Sequence, residues 1–125
     1  MADRILGIRQ IAVTVANVEQ ALEFYRDVLG LTFLFAPSDD LAFVQAGDIR
    51  IMLSTPQGAG AVGANSIIYF NVDAIEQTFD GFVANGAVSE RPPALAAQMP
   101  DHELWIGFLR DPDGNLIGLL EEKRG

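Results

Sequence analysis

Residues 10–30 read QIAVTVANVEQALEFYRDVLG, and the rest of the chain is organised around them. The opening alternates and is rich in β-branched residues, which predicts a strand over residues 8–15. Ile11, Val13 and Val15 then share one face, and Gln10, Ala12 and Thr14 share the other. Asn17 suits a helix N-cap, with Glu19 and Glu23 close behind it. Val18, Leu22, Tyr25 and Leu29 recur at helical spacing, and Gly30 can take the left-handed closing turn. A second stretch, residues 67–86, reads IIYFNVDAIEQTFDGFVANG. A shift of 57 positions carries Val15 onto Val72, Val18 onto Ile75, Leu22 onto Phe79 and Tyr25 onto Phe82. The matching positions are those that would face a core, so one structural unit is used twice.

Working outward, three short strands are expected in the first half, over residues 31–36, 41–46 and 49–55. Pro37-Ser38-Asp39-Asp40 and Gly47-Asp48 are the turns between them. Residues 56–65 are rich in Gly, Ala and Pro and read as a linker. The second half repeats the order. A strand over 66–72 leads to a helix capped by Asp73 and ended by Gly86, then a short strand over 87–91. Residues 92–103 read as a long irregular segment with no counterpart in the first half. Strands over 104–110 and 115–121 flank the turn Asp111-Pro112-Asp113-Gly114, and Glu121 and Glu122 read as a solvated end. The expected fold is α+β. It has two βαβββ modules, over about residues 5–56 and 65–122, that form one domain over 1–125 and can bring their uncovered sheet faces together around a cleft. Alternation away from the helices places Gln10, Thr14, Arg50 and Met52 of the first module on the cleft side. Ile67, Tyr69 and Gly118 of the second take the same side.

The chain has 125 residues, half of them hydrophobic and a fifth charged, which suits one folded globular domain. No apolar run reaches the length of a membrane span. The start, MADRILGIRQ, lacks the basic n-region and apolar core of a signal peptide, so a cytoplasmic location is expected. A net charge of −9 disfavours nucleic acid and anionic membranes as partners. The absence of cysteine excludes disulfides, thiolate metal sites and a cysteine nucleophile.

Two motifs carry a family resemblance. Gln10-Ile11-Ala12-Val13-Thr14-Val15 leads into the helix end Phe24-Tyr25-Arg26-Asp27-Val28-Leu29-Gly30-Leu31. Near the C-terminus stands Arg110-Asp111-Pro112-Asp113-Gly114-Asn115-Leu116-Ile117. With the internal repeat, these resemble the vicinal oxygen chelate superfamily, which unites glyoxalases, bleomycin-resistance proteins and dioxygenases. The resemblance implies paired βαβββ modules forming an open curved mixed sheet around a small-molecule pocket, commonly in a homodimer. Metalloenzymes of that superfamily hold one divalent ion with His, Gln or Glu from four strands. The corresponding positions here are Gln10, Met52, Ile67 and Gly118. Only Gln10 offers a ligating atom, and one neutral amide oxygen cannot hold a hard or borderline ion. No metal and no other cofactor is therefore expected. That counts against the metal-dependent activities of the superfamily.

Individual residues carry more than one reading. Arg50 is a fixed cation for a ligand carboxylate or phosphate, or else an exposed arginine paired to one of the surrounding acids. Tyr69 and Trp105 form an aromatic wall for a ligand, or pack as half-buried strand residues. Gln10 hydrogen-bonds a ligand or is satisfied by its neighbours. His102, the only histidine, is a candidate general acid/base or closes a loop with Asp101 and Glu103 beside it in sequence. Asp111-Pro112-Asp113-Gly114 is a structural turn. The function expected is a metal-free binder of a small organic ligand in an apolar cleft, similar to the bleomycin-resistance branch. A cationic antibiotic would suit the acidic surface. The alternative is a lyase- or isomerase-like enzyme using Arg50, Gln10 or His102. An accessory protein whose cleft is filled by its own side chains is a third.

Overall fold

The computed structural model describes residues 4–56 and 60–125. The chain forms two compact units, Met1–Ala61 and Val62–Gly125. In the first, β1 (Gln10–Thr14) is followed by α1 (Val18–Leu22), β2 (Thr32–Ser38), β3 (Leu41–Ala46) and β4 (Ile49–Ser54). The strands lie in the order β1-β4-β3-β2, with β1 parallel to β4 and the other pairs antiparallel. The second unit repeats this as β5 (Ile68–Asn71), α2 (Ile75–Ala84), β6 (Val88–Gln98), β7 (Glu103–Arg110) and β8 (Leu116–Lys123), in the order β5-β8-β7-β6. This is the α+β architecture expected from the repeat: two βαβββ modules, each an open four-stranded mixed sheet that does not close into a barrel. Among the described residues no helix is long and apolar enough to cross a membrane.

The alternation in β1 and β4 sorts their side chains as the sequence predicts. Val13, Val15, Ile51 and Leu53 are buried on the helix side with Val18, Leu22 and Tyr25. Ile75 and Phe79 of α2 are buried in the second unit, as are Leu109, Ile117 and Leu119 of its sheet. Each such side chain contributes about 1.5–3 kcal/mol by leaving water.

Three local expectations need correction. The first helix is not α-helical throughout. After Val18–Leu22, capped by Asn17 Oδ1 accepting from Gln20 N at 2.8 Å, it continues as a π-helix over Glu23–Val28. The wider turn, with Leu29 N reaching back to Phe24 O, lets the consecutive Phe24 and Tyr25 both turn inward, their rings edge-to-face at 5.1 Å. The irregular segment expected over 92–103 is largely strand, because β6 runs on through Pro92 and Pro93 to Gln98. At a sheet edge a proline costs no ladder bond on its open side, and register shifts after Ser89, Arg91 and Leu95 absorb the misfit. Finally, Asp73 does not cap α2. The N-cap is Ala74, and Glu121 of β8 does the capping, its Oε1 accepting from Ile75 N at 2.9 Å. Glu121 is thus a structural carboxylate and not a solvated end. Of the expected linker, Gln57, Gly58 and Ala59 lie outside the described residues.

Candidate functional site

On the first unit, the sheet face away from α1 carries a connected set of side chains. Parallel pairing sets Gln10 beside Arg50, Ala12 beside Met52 and Thr14 beside Ser54. Arg50 Nε donates to Gln10 Oε1 at 2.7 Å, and Gln10 Nε2 lies 3.8 Å from Met52 Sδ. The antiparallel neighbour of Met52 is Phe43, and the Arg50 guanidinium lies 5.4 Å from that ring's centre. Phe35 of β2 stacks on Phe43 at 4.8 Å, with 27° between the ring planes, and is 50% exposed. No carboxylate among the described residues pairs with Arg50. Cation–aromatic contact holds the group over Phe43 without neutralising it. Thr14 is set apart from this group. It is buried, and Gly60 lies so close over its hydroxyl that a Cβ there would collide. A shallow groove at the turn end of the same sheet is lined by Leu6, Ile8, Arg9, Gln45 and Asp48.

The second unit places its candidates differently. Tyr69 pairs with Gly118 across β5 and β8, and its ring lies where a Gly118 side chain would begin, an ideal Cβ being 2.5 Å from Tyr69 Cδ2. Its aromatic companion is Phe108, edge-to-face at 5.9 Å, with the Arg91 guanidinium 5.6 Å from the Phe108 ring. Trp105 does not join them, which overturns the expected Tyr69–Trp105 wall. Trp105 is in register with Glu121, and Phe108 with Gly118, so odd spacing puts Trp105 on the helix side of the sheet. There its Nε1 donates to Glu103 Oε1 at 3.0 Å and Lys123 Nζ lies 4.3 Å from the ring centre. Ile67 is 43% exposed just before β5.

His102 sits in the hairpin between β6 and β7, where Met99 N donates to its carbonyl at 2.8 Å. Its Nδ1 lies 2.7 Å from Asp101 Oδ1 and its Nε2 3.7 Å from Glu122 Oε2. Adjacent in sequence, Asp101 is nonetheless its hydrogen-bond partner, because the tight turn folds the two side chains together. The hydrogen bond from His102 is the largest influence holding the Asp101 carboxyl below its ordinary range. The Asp111 turn is structural as expected. Asp111 is buried, its Oδ1 accepting from Asp113 N and Asn115 N and its Oδ2 from Asn115 Nδ2, all at 2.8–2.9 Å.

Two βαβββ units with these motifs define a class, and comparison with known proteins names it. Residues 7–119 match the model of the Glyoxalase/Bleomycin resistance protein/Dioxygenase superfamily. The chain belongs to that superfamily. It is 30% identical to a probable lactoylglutathione lyase of Vibrio cholerae serotype O1, over 88% of this chain and 86% of that protein. Among solved structures, its fold is similar to lactoylglutathione lyase from Agrobacterium tumefaciens. That match has a TM-score of 0.79 and 23% identity, and covers 94% of this chain and 95% of the other. The fold is also similar to TnmS3, an antibiotic binding protein from Streptomyces sp. CB03234, with a TM-score of 0.78 and 21% identity, covering 98% and 99%.

At Gln10, Met52, Ile67 and Gly118, the positions that the family resemblance assigns to metal ligands, the donor set does not fit a divalent ion. In the first unit the Gln10 oxygen is engaged by the Arg50 guanidinium, whose charge repels a cation, and Met52 offers only a thioether. In the second, Ile67 has no donor and Tyr69 covers Gly118. Among the described residues no cluster of three or more His, Asp or Glu is arranged to hold a metal.

Proposed function

We propose that the protein is a metal-free small-molecule binder that holds an organic ligand against the sheet face carrying Gln10, Arg50 and Met52. The observation that carries this reading is Arg50, a guanidinium anchored at one nitrogen and left without a carboxylate beside a stacked aromatic pair whose outer ring, Phe35, is exposed. A charge held over apolar surface in this way calls for a partner. On the second unit, taken by itself, Ile67 and Tyr69, both nearly half exposed, are offered as ligand contacts of that unit's own face. Buried Thr14, covered Gly118 and helix-side Trp105 are offered only as supports of the two faces. The antibiotic binding relative supports the reading by analogy of fold. A cytoplasmic homodimer without nucleic-acid or membrane partners completes the proposal. Mass spectrometry of the untagged protein for metals, with a thermal-shift screen of a diverse compound library, tests it. The expected result is no stoichiometric metal and an upward shift with at least one compound that Arg50→Gln abolishes. Near one equivalent of a divalent metal, or no shift with any compound, overturns it.

The second reading is a lyase- or isomerase-like enzyme using Arg50, Gln10 or His102. The pairing of His102 with Asp101 at 2.7 Å favours it, since a carboxylate orients an imidazole for proton transfer. The hydrogen bond from Met99 N to the His102 carbonyl and its place in a hairpin favour a loop-closing role. Turnover lost in His102→Ala with unchanged stability would move the enzyme reading to first place.

A further inference from the structure

The surroundings of Arg50 narrow the ligand class, an inference that rests on the binding reading above. Arg50 Nε is engaged by Gln10 Oε1, which sets the plane of the guanidinium. Its terminal nitrogens Nη1 and Nη2 make no hydrogen bond or ion pair with any described residue. A guanidinium held at Nε presents these two as parallel donors, at a spacing that matches the two oxygens of a carboxylate. Directly beside it, Phe43 and the half-exposed Phe35 make a stacked aromatic plate. Met52 adds a polarisable edge. One cation flanked by apolar surface balances one negative charge. The overall charge of −9 repels more highly charged anions at long range.

We infer that the ligand is a planar aryl monocarboxylate, its carboxylate on Nη1 and Nη2 of Arg50 and its ring system against Phe43 and Phe35. Gln10 is then a positioning residue, holding the guanidinium in the plane that receives the acid. This reverses the charge of the ligand suggested by net composition, because short-range complementarity at one fixed cation outweighs a screened surface field.

Calorimetric titration of the full chain with 2-naphthoate, its uncharged isostere 2-naphthamide and inorganic phosphate tests the assignment. Saturable binding is expected for the acid, at least about ten-fold weaker binding for the amide and none for phosphate, as a charge-assisted pair of hydrogen bonds predicts. Arg50→Gln should weaken the acid by about ten-fold or more and leave the amide unchanged. Arg50→Lys should restore only part, for want of the fork, and Phe35→Ala should weaken acid and amide alike. Equal binding of acid and amide, or an Arg50→Gln protein that binds naphthoate as well as wild type, overturns the carboxylate assignment while small-molecule binding stands. No binding of naphthoate, benzoate or cinnamate also overturns it. If the diverse compound library also gives no thermal shift, the binding reading falls with it. Thermal melts of each variant confirm that the folded protein is being titrated.

Discussion

Across the first unit's sheet one row in register runs Ala12, Met52, Phe43, Phe35; across the second unit's sheet the matching row is Tyr69, Gly118, Phe108, Arg91. The backbone plan is the same, and the side-chain volumes are exchanged. A small residue on β1 stands next to methionine on β4, whereas tyrosine on β5 lies over glycine on β8. The arginines differ too. Arg50 meets an amide and a ring, while Arg110, the β7 neighbour of Leu116, is neutralised by Glu90 at 3.0 Å and tied to Gly114 O at 2.8 Å. A repeated scaffold therefore sets where side chains stand, and the neighbours within each register row decide how each charge is held. In the first unit Gln10 fixes Arg50 beside a stacked aromatic pair. In the second Tyr69 covers Gly118, Glu90 neutralises Arg110, and Arg91 lies over Phe108 without a hydrogen bond to any described residue to anchor it.

The contrast is open to direct attack, beginning where the effect should be largest. The turn joining the last two strands is a buried hydrogen-bonded device in the second unit and a plain two-residue turn, Gly47-Asp48, in the first. Asp111→Ala removes the hydrogen bonds from Asp113 N and from the backbone and side chain of buried Asn115, and a loss of about 3 kcal/mol is expected in urea unfolding. Asp48→Ala, at an exposed turn, should stay within about 0.5 kcal/mol. Similar costs for the two would dissolve the distinction. Gly118→Ala comes next, at about 1–3 kcal/mol, because its Cβ must displace the Tyr69 ring. Truncating Tyr69 to alanine in the same protein should recover most of that loss, and additive effects would show that the ring does not rest on Gly118.

Smaller effects sharpen the picture of how the second unit is tied together. Glu121→Ala leaves the start of α2 without its acceptor, so about 1 kcal/mol should be lost in thermal or urea unfolding. Asp73→Ala, which removes no cap, should be near neutral; the reverse ranking would return the capping role to Asp73. The least effect concerns Glu76, whose carboxyl the hydrogen bond from Lys123 Nζ, at 2.6 Å, holds below its ordinary 4.5. A depressed folded-state pKa contributes stability above 4.5 and loses it as pH falls through the folded value. Glu76→Gln should therefore match wild type in strong acid and be marginally less stable at neutral pH. Added salt should erase the gap at this exposed pair, and a gap that persists at high salt or widens in acid would contradict the assignment.

Much of the fold was legible because its signals are local. Period-2 alternation in residues 10–15, an asparagine cap at Asn17, a closing glycine at Gly30 and a self-satisfied turn at Asp111 each act over a few residues. The repeat followed from matching such signals over 57 positions. The family motifs likewise lie in the chain as written. Phe43 and Phe35 could have been found beside Arg50 by carrying the same alternation across β3 and β2, a step that requires the register between strands.

Register is a tertiary property, and it decided the rest. Trp105 and Tyr69 lie on opposite faces because of where β7 meets β8, which alternation within either strand cannot reveal. Pro92 and Pro93 continue a strand because β6 is an edge, and a proline is tolerated only where no neighbour requires its missing hydrogen. Glu121 became a helix cap, and Asp101 and Glu122 came to flank His102, through contacts set by sheet and hairpin geometry. The chain's own pattern determined the two βαβββ units and their buried faces, since those depend on residue chemistry and short-range periodicity. Only the folded sheets decided which side chains meet, because a hydrogen bond such as that between Arg50 and Gln10 joins strands 40 residues apart and depends on their register.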